Sequence, residues 1–187
     1  MTSFDQGEPL PPPRMAHFVI RTNRFADMRD WYVAFFDASV VFDNGKLAFL
    51  AFDDEHHRLA IAHDPKLADL TDATCAVDHV AYSYDTLEIL LKKYARLKAR
   101  GITPKFSINH GMTTSLYYSD PGRNKVELQV DNFATAEDGK AFFASDTFDA
   151  NPIGVFFDPD LMVEKLTAGV PVAELLKQGS APRRAKV

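Results

Sequence analysis

The chain has one cysteine among 187 residues, and it lacks both a long apolar run and an excess of positive charge. The single Cys75 excludes an intramolecular disulfide and favours a reducing compartment. With Ala76 and Val77 beside it, Cys75 is typical of a small buried hydrophobic side chain rather than a catalytic thiol. The formal net charge of −5 argues against nucleic-acid binding, which needs clustered lysine and arginine.

The N-terminal residues 1–14 are polar and rich in proline, which predicts a flexible extended arm. They lack the basic start and the apolar stretch of a signal peptide. No run in the sequence approaches the roughly 20 apolar residues of a membrane span. With 46% hydrophobic and 25% charged residues, the composition is that of a globular protein, and a cytoplasmic location is expected.

The rest of the chain up to residue 131 repeats one order of elements. The first unit, about residues 15–70, opens with an alternating run at 16–22 and closes with strand-like runs at 46–53 and 57–63. Between them, large apolar residues recur at spacings of three and four, which is typical of a helix: Phe25, Met28, Tyr32 and Phe35.

The second unit, about residues 77–131, follows the same order. A strand begins near His79, a leucine-rich helix ends before Gly101, and strand-like runs follow near 103–109, 114–119 and 124–130. Each unit is therefore predicted to be β-α-β-β-β. The expected fold class is α+β, with two tandem units forming a cupped mixed β-sheet.

Residues 132–187 form a third part, predicted to be a helical C-terminal extension. Asp158 and Pro159 are suited to the N-cap and the first position of a helix. Apolar residues on the faces of the extension are expected to pack on the domain or on a partner subunit, which favours a homodimer.

Three polar residues lie near the ends of matched strands. His17 and His79 open the first strands of the two units, and Glu127 lies in the last strand of the second. On that strand Glu127 points away from the apolar face formed by Val126 and Leu128. Two imidazoles and a carboxylate can bind a divalent metal on one side and leave coordination positions open on the other.

A fourth residue is suggested by spacing. Glu127 lies 127 − 79 = 48 residues after His79, and His63 lies 63 − 17 = 46 residues after His17. His63 is thus near the pseudo-equivalent position and is expected to point into the same cavity. His56 and His57, which follow an acidic stretch, are assigned to a hairpin loop outside the site.

At this point the chain resembles the vicinal oxygen chelate superfamily and, within it, the type I extradiol ring-cleaving dioxygenases. The resemblance covers about residues 15–131. It is sharpened by three motifs: Asn109-His-Gly-Met, Leu116-Tyr-Tyr-Ser-Asp-Pro and Asn124-Lys-Val-Glu-Leu.

The resemblance implies that Fe(II) is held by His17, His79 and Glu127, and that Mn(II) could replace it. It further implies that His63 is the acid/base residue and that His110 and Tyr117 contact the substrate. The implied substrates are an aromatic diol and O₂, with no organic cofactor.

Other members of this superfamily offer alternative functions. A glyoxalase I-like lyase or isomerase needs a glutamate or glutamine near the end of the first unit, where this chain has Ile61, Ala62 and His63. A thiol transferase of the fosfomycin-resistance type uses Mn(II) but does not require the pair of His110 and Tyr117. A bleomycin-resistance-like binding protein needs no metal, so metal content distinguishes it from the enzymes.

Overall fold

The computed structural model describes residues 11–71, 73 and 75–184, so most of the predicted N-terminal arm lies outside the described residues. The first unit consists of β1 (Phe18–Thr22), α1 (Phe25–Phe36), β2 (Ser39–Asp43), β3 (Leu47–Ala51) and β4 (Leu59–His63). The second consists of β5 (His79–Ser83), α2 (Leu87–Ala99), β6 (Phe106–Asn109), β7 (Thr113–Ser119) and β8 (Lys125–Asp131). The extension contains α3 (Ala136–Phe142), α4 (Asp146–Ala150), β9 (Val155–Phe156), α5 (Pro159–Thr167) and α6 (Val172–Leu175).

The strands form two mixed sheets. Sheet A has the order β1-β4-β3-β2, and sheet B has the order β5-β8-β7-β6-β9. In both units the first and last strands are parallel neighbours, and the other pairings between strands of that unit are antiparallel. The predicted fold class, with two tandem β-α-β-β-β units and a helical C-terminal region, is confirmed.

Two local features differ from the sequence-based expectations. The pattern does not locate β2, because all five of its residues are exposed and its Val-Val-Phe run does not alternate. The strand lies at the edge of sheet A. The expected burial of Cys75 is also wrong, since this residue is exposed in the segment between the two units.

One core joins the two units, and α1 lies at its centre. On this helix Phe25, Met28, Tyr32 and Phe35 are buried, as the helical spacing predicts. Phe35 packs edge-on against Tyr118 of β7, with ring centroids 5.0 Å apart. The hydroxyl of Tyr32 donates a 3.0 Å hydrogen bond to the buried carboxylate of Asp120, in the turn before β8. The first unit therefore packs directly on the second sheet.

The extension begins its longest helix where the sequence predicts. Asp158 is the N-cap of α5 and accepts hydrogen bonds from the backbone N–H groups of Asp160 and Leu161, with Pro159 at the first position.

Across the described ranges, no helix combines the length and the apolar character that crossing a membrane requires.

A second link between the units is an ion pair between their helices. Asp37, which ends α1 in the left-handed conformation, accepts from Lys93 Nζ of α2 at 2.8 Å and from Arg100 at 2.7 Å. Lys93 is buried, with 6% of its surface exposed, whereas the Asp37 carboxylate is half-exposed. The hydrogen bond from Lys93 is the main cause that lowers the pKa of Asp37.

Replacing Asp37 by asparagine is expected to lower the free energy of unfolding by about 2 kcal/mol, because it leaves the buried ammonium of Lys93 without a carboxylate. In a chain of this size, calorimetry should record a melting temperature lower by about 4–8 °C. Because the folded pKa of Asp37 is lowered, the stabilisation is present above the unfolded value of about 4 and is lost as the pH falls through the folded value. The two melting temperatures should therefore converge in acid.

The matched control is Asp30→Asn, which removes an exposed carboxylate that pairs with Arg29 on the same helix. This change should cost less than about 0.5 kcal/mol at any pH. Equal losses in the two variants would show that the ion pair with Lys93 does not stabilise the fold.

Candidate active site

Strand β8 presents Glu127 on the face opposite the core. Val126, Leu128 and Val130 are buried in the core under the helices, and Glu127 points the other way. Its partners in register are Ala81 on β5 and Tyr117 on β7. Glu127 is nevertheless 4% exposed, so its carboxylate is held in a buried position on the polar face of the sheet.

The carboxylate of Glu127 contacts the imidazole of His79. The distance between Glu127 Oε2 and His79 Nε2 is 2.9 Å, and the opposite nitrogen, Nδ1, lies 2.8 Å from Asp78. Lys125 reaches the other oxygen of Asp78 at 2.5 Å. The hydrogen bond with His79, followed by that with Lys125, lowers the pKa of the Asp78 carboxyl. The imidazole is therefore held between two carboxylates.

Tyr117 and His110 continue this polar series on the other side of Glu127. The hydroxyl of Tyr117 lies 2.9 Å from His110 Nε2, and Tyr117 is the register partner of Glu127 on the neighbouring strand. Burial, followed by the charge of Glu127, raises the pKa of the Tyr117 phenol well above its usual value, which keeps it protonated at neutral pH. The phenol therefore has an imidazole within hydrogen-bond distance and a carboxylate on the adjacent strand.

His17 precedes the first strand of sheet A and contacts His57, which the sequence assigns to a hairpin loop outside the site. Directly before β1, the exposed His17 ring stacks on His57, with ring centroids 4.7 Å apart. His57 also contacts Phe49 of β3 and lies 2.6 Å from His56 between their Nδ1 atoms. Burial, together with His56 and His17, lowers the pKa of His57. The sequence feature that could have indicated this contact is the position of His57 shortly before β4, the strand that pairs with β1.

The structure does not bring His63 into this group. His63 shares its face of β4 with Leu59 and Ile61, which are fully buried on the helix side, and its ring packs against Phe25. The strand registers show that His63 does not occupy the position in the first unit that Glu127 occupies in the second. In the second unit, Glu127 pairs with Ala81, which lies two residues after His79. The corresponding residue in the first unit is Val19, two residues after His17, and it pairs with Ala60 rather than with His63.

A cleft of about 310 Å³ lies between the edge strands β1 and β5. Its walls are mainly apolar and aromatic, and His79 is among the residues that line it. The apolar part of the lining comes from both edge strands and from the segment before β5: Phe18, Val19, Ile20, Ala76, Val77, Val80 and Tyr82. The site therefore borders a space that can accept an apolar ring.

The donor set of His17, His79 and Glu127 suits Fe(II), which is commonly bound by two histidines and one carboxylate with open positions. His79 and Glu127 are already in contact on sheet B, whereas His17 belongs to sheet A and is turned onto His57. Within the described part of the chain, no three histidine, cysteine or acidic side chains are gathered closely enough to hold a metal ion. Two of the three expected ligands are thus placed together by the fold.

Comparison with known proteins identifies related sequences. Residues 14–128 match the model of the Glyoxalase/Bleomycin resistance protein/Dioxygenase superfamily. Biphenyl-2,3-diol 1,2-dioxygenase 2 from Rhodococcus globerulus is 47% identical over 161 residues, which span 86% of this chain and 85% of that protein. Biphenyl-2,3-diol 1,2-dioxygenase 3 from the same organism is 43% identical over 165 residues, 87% of each chain.

A solved structure supports the assignment of the fold. The glyoxylase/bleomycin resistance protein/dioxygenase domain from a Frankia species superposes with a TM-score of 0.55 at 14% identity. The matched region covers 67% of this chain and 96% of that domain.

Proposed function

We propose a function for this chain from the premise that it belongs to the glyoxalase/bleomycin resistance protein/dioxygenase superfamily. It is an extradiol ring-cleaving dioxygenase, an enzyme that opens an aromatic diol with O₂. The names of its relatives specify this chemistry: the hydroxyl groups are on carbons 2 and 3, and the bond that breaks joins carbons 1 and 2. That bond lies beside the diol rather than between its two carbons.

The observation that carries the proposal is the polar series from His110 through Tyr117 and Glu127 to His79. In this series a carboxylate and an imidazole, groups that suit a divalent metal, lie next to a phenol and a second imidazole that can hydrogen-bond a diol. A glyoxalase I-like reaction needs a fourth ligand, acidic or amide, from the first unit. The residue of the first unit that corresponds in register to Glu127 is Ala60. Alanine supplies no donor, which favours the dioxygenase over the lyase.

We further propose Fe(II) as the metal, with His17, His79 and Glu127 as its ligands. When bound, Fe(II) supplies the redox chemistry that the direct reaction of triplet O₂ with a closed-shell diol lacks. The negative charge of Glu127 and the neutral imidazoles are the protein's contribution to holding it.

The remaining polar residues bind the diol and move its protons. Tyr117 lies on the strand next to Glu127, and His110 follows the strand beyond it. Both side chains can hydrogen-bond the diol oxygens, and His110 can accept a hydroxyl proton. His57 is our candidate for the acid/base residue, because its ring contacts the proposed ligand His17. His63, packed on the opposite face, does not suit this role.

The proposed substrate is a catechol that carries an apolar aryl substituent. The cleft beside His79 is lined by apolar and aromatic residues and is large enough for a ring. Both curated relatives described above are named for a diol with a second phenyl ring. A substituent of this kind would bury apolar surface at about 25 cal/mol for each Å² removed from water.

The test is to load the protein anaerobically with Fe(II), add O₂, and follow oxygen uptake and the yellow ring-opened product. Biphenyl-2,3-diol and unsubstituted catechol should both react, and kcat/KM should be at least tenfold higher for the biphenyl compound because of the apolar cleft. The hemithioacetal of methylglyoxal and glutathione serves as the substrate of the competing lyase reaction.

Oxygen uptake in equal amounts with yellow product would support the proposal. Turnover of the hemithioacetal without oxygen uptake would replace the dioxygenase by a lyase. Equal kcat/KM values for the two diols would leave the proposed reaction unchanged, but they would show that the apolar cleft does not determine substrate specificity.

A further inference from the structure

The C-terminal extension contacts the active site through the backbone carbonyl of Ile153. This oxygen lies 2.6 Å from Nδ1 of His110, the residue that follows β6. The extension also adds β9 to sheet B, where Val155 pairs with Asn109. Residue 153 lies beyond residues 14–128, which match the family model, so this contact comes from a part of the chain outside the common fold.

The contact fixes the tautomer of His110. A carbonyl oxygen can only accept a hydrogen bond, so the hydrogen of the neutral ring must be on Nδ1. The other nitrogen, Nε2, is then an acceptor, and it faces the hydroxyl of Tyr117 at 2.9 Å. Without the carbonyl, the ring could place its hydrogen on Nε2, and that nitrogen would no longer accept a hydrogen bond from the Tyr117 hydroxyl.

The backbone that carries this carbonyl fits closely against His110. Gly154 has a φ of +96°, and a Cβ added there would lie 2.3 Å from the Asn109 carbonyl oxygen and 2.6 Å from the His110 Cα. A larger residue cannot be placed without moving the strand. Asn151 closes the same turn, since its side chain accepts from Gly154 N–H at 3.0 Å and donates to the Gly154 carbonyl at 2.8 Å.

Further contacts hold the other side of His110. The buried Asn109 donates from its side chain to the Leu176 carbonyl at 2.8 Å, and its own carbonyl accepts from Gln178 at 3.1 Å. At Gly111, an added Cβ would lie 2.3 Å from the Phe142 ring of α3. The extension thus surrounds the residues on both sides of His110 in sequence.

We infer that the turn Asn151–Gly154 of the C-terminal extension is a positioning element of the active site, which holds His110 as the Nδ1–H tautomer so that Nε2 can accept a hydrogen bond from the Tyr117 hydroxyl. The role in turnover rests on the proposed dioxygenase function. The tautomer itself is a property of the chain and can be measured without turnover.

The experiment compares Gly154→Ala and Asn151→Ala with Gly169→Ala in the full-length protein. Gly169 has a similar φ of +84° but no atom within 4 Å of an added Cβ, so it matches the backbone strain without the contact. Long-range ¹H–¹⁵N NMR spectra of the metal-free proteins report the tautomer of His110, whose signals are assigned by their loss in His110→Gln. Asn151→Ala provides the test if Gly154→Ala does not fold.

We expect wild type and Gly169→Ala to show the Nδ1–H tautomer, and the two turn variants to show a mixture. After loading with Fe(II), the turn variants should keep the metal content of the wild type and lose about 10- to 100-fold in kcat for biphenyl-2,3-diol. The Nε2–H tautomer in the wild type would overturn the inference, as would turn variants that match Gly169→Ala in both measurements. If the wild type cleaves no diol, the proposed function fails, and the spectra still decide whether the turn sets the tautomer.

Discussion

Replacing Glu127 by glutamine is expected to remove bound iron from the purified protein and to lower ring cleavage by at least about 1000-fold. The amide has no negative charge to offer a divalent cation, and the loss of several kcal/mol of metal-dependent stabilisation corresponds to this factor. Glutamine has nearly the same shape and can still hydrogen-bond to His79, so the sheet should remain intact. Iron content after desalting and the rate of oxygen uptake are the two measurements.

The control for this prediction is Asp131→Asn, which removes an exposed carboxylate from the same strand. It should retain both iron and activity within about twofold, since surface charges of this kind contribute little. A Glu127→Gln protein that still binds iron and cleaves the diol at the wild-type rate would exclude Glu127 as a ligand.

Replacing His57 by glutamine is expected to lower kcat by about 100- to 1000-fold, which is the usual contribution of an acid/base residue. Iron content should remain at the wild-type level, because His57 contacts the proposed ligand His17 without being one of the three proposed ligands. Oxygen uptake at saturating biphenyl-2,3-diol measures this effect separately from substrate binding.

His63→Gln is the comparison that decides between the two histidines. Its ring lies on the helix side of β4 against Phe25, so the change should alter kcat by less than about twofold. The reverse result, with a large loss in His63→Gln and none in His57→Gln, would favour the spacing argument over the arrangement of sheet A.

The sequence predicts most of the second unit and its part of the site. Strict alternation on β8 places Glu127 opposite Val126 and Leu128, and the structure has this arrangement because one face of the strand packs on the core. His79 is likewise at the first position of β5. Where a strand has one dry face, period-two patterning is sufficient to assign the direction of each side chain.

The first unit shows where spacing fails. His63 follows His17 by 46 residues, and Glu127 follows His79 by 48 residues. These separations indicate equivalent positions only if the connections between strands have similar lengths in the two units, and the registers show that they do not. Alternation on β4 was informative, since Leu59 and Ile61 are buried and His63 follows them on the same face. Alternation on β4 therefore predicts the helix side for His63, in conflict with the prediction from spacing.

The contact from Ile153 to His110 has no signature in the sequence. Every residue has a backbone carbonyl, so the identity of Ile153 carries no information about the hydrogen bond that it accepts. The position of Gly154 and Asn151 relative to His110 follows from the pairing of β9 with β6. Long-range pairing of this kind depends on the whole fold.

The parallel pairing of β5 with β8 has a consequence for how the site forms. These strands open and close their unit, so His79 and Glu127 meet only after 48 residues of intervening chain have been closed into a loop, at an entropic cost of about 3 kcal/mol. Contacts of such high sequence separation form slowly. A nascent or partly unfolded chain that contains only α2 and the β6–β7 hairpin does not bring these two proposed ligands together, so we expect affinity for the metal to arise together with completion of the second unit.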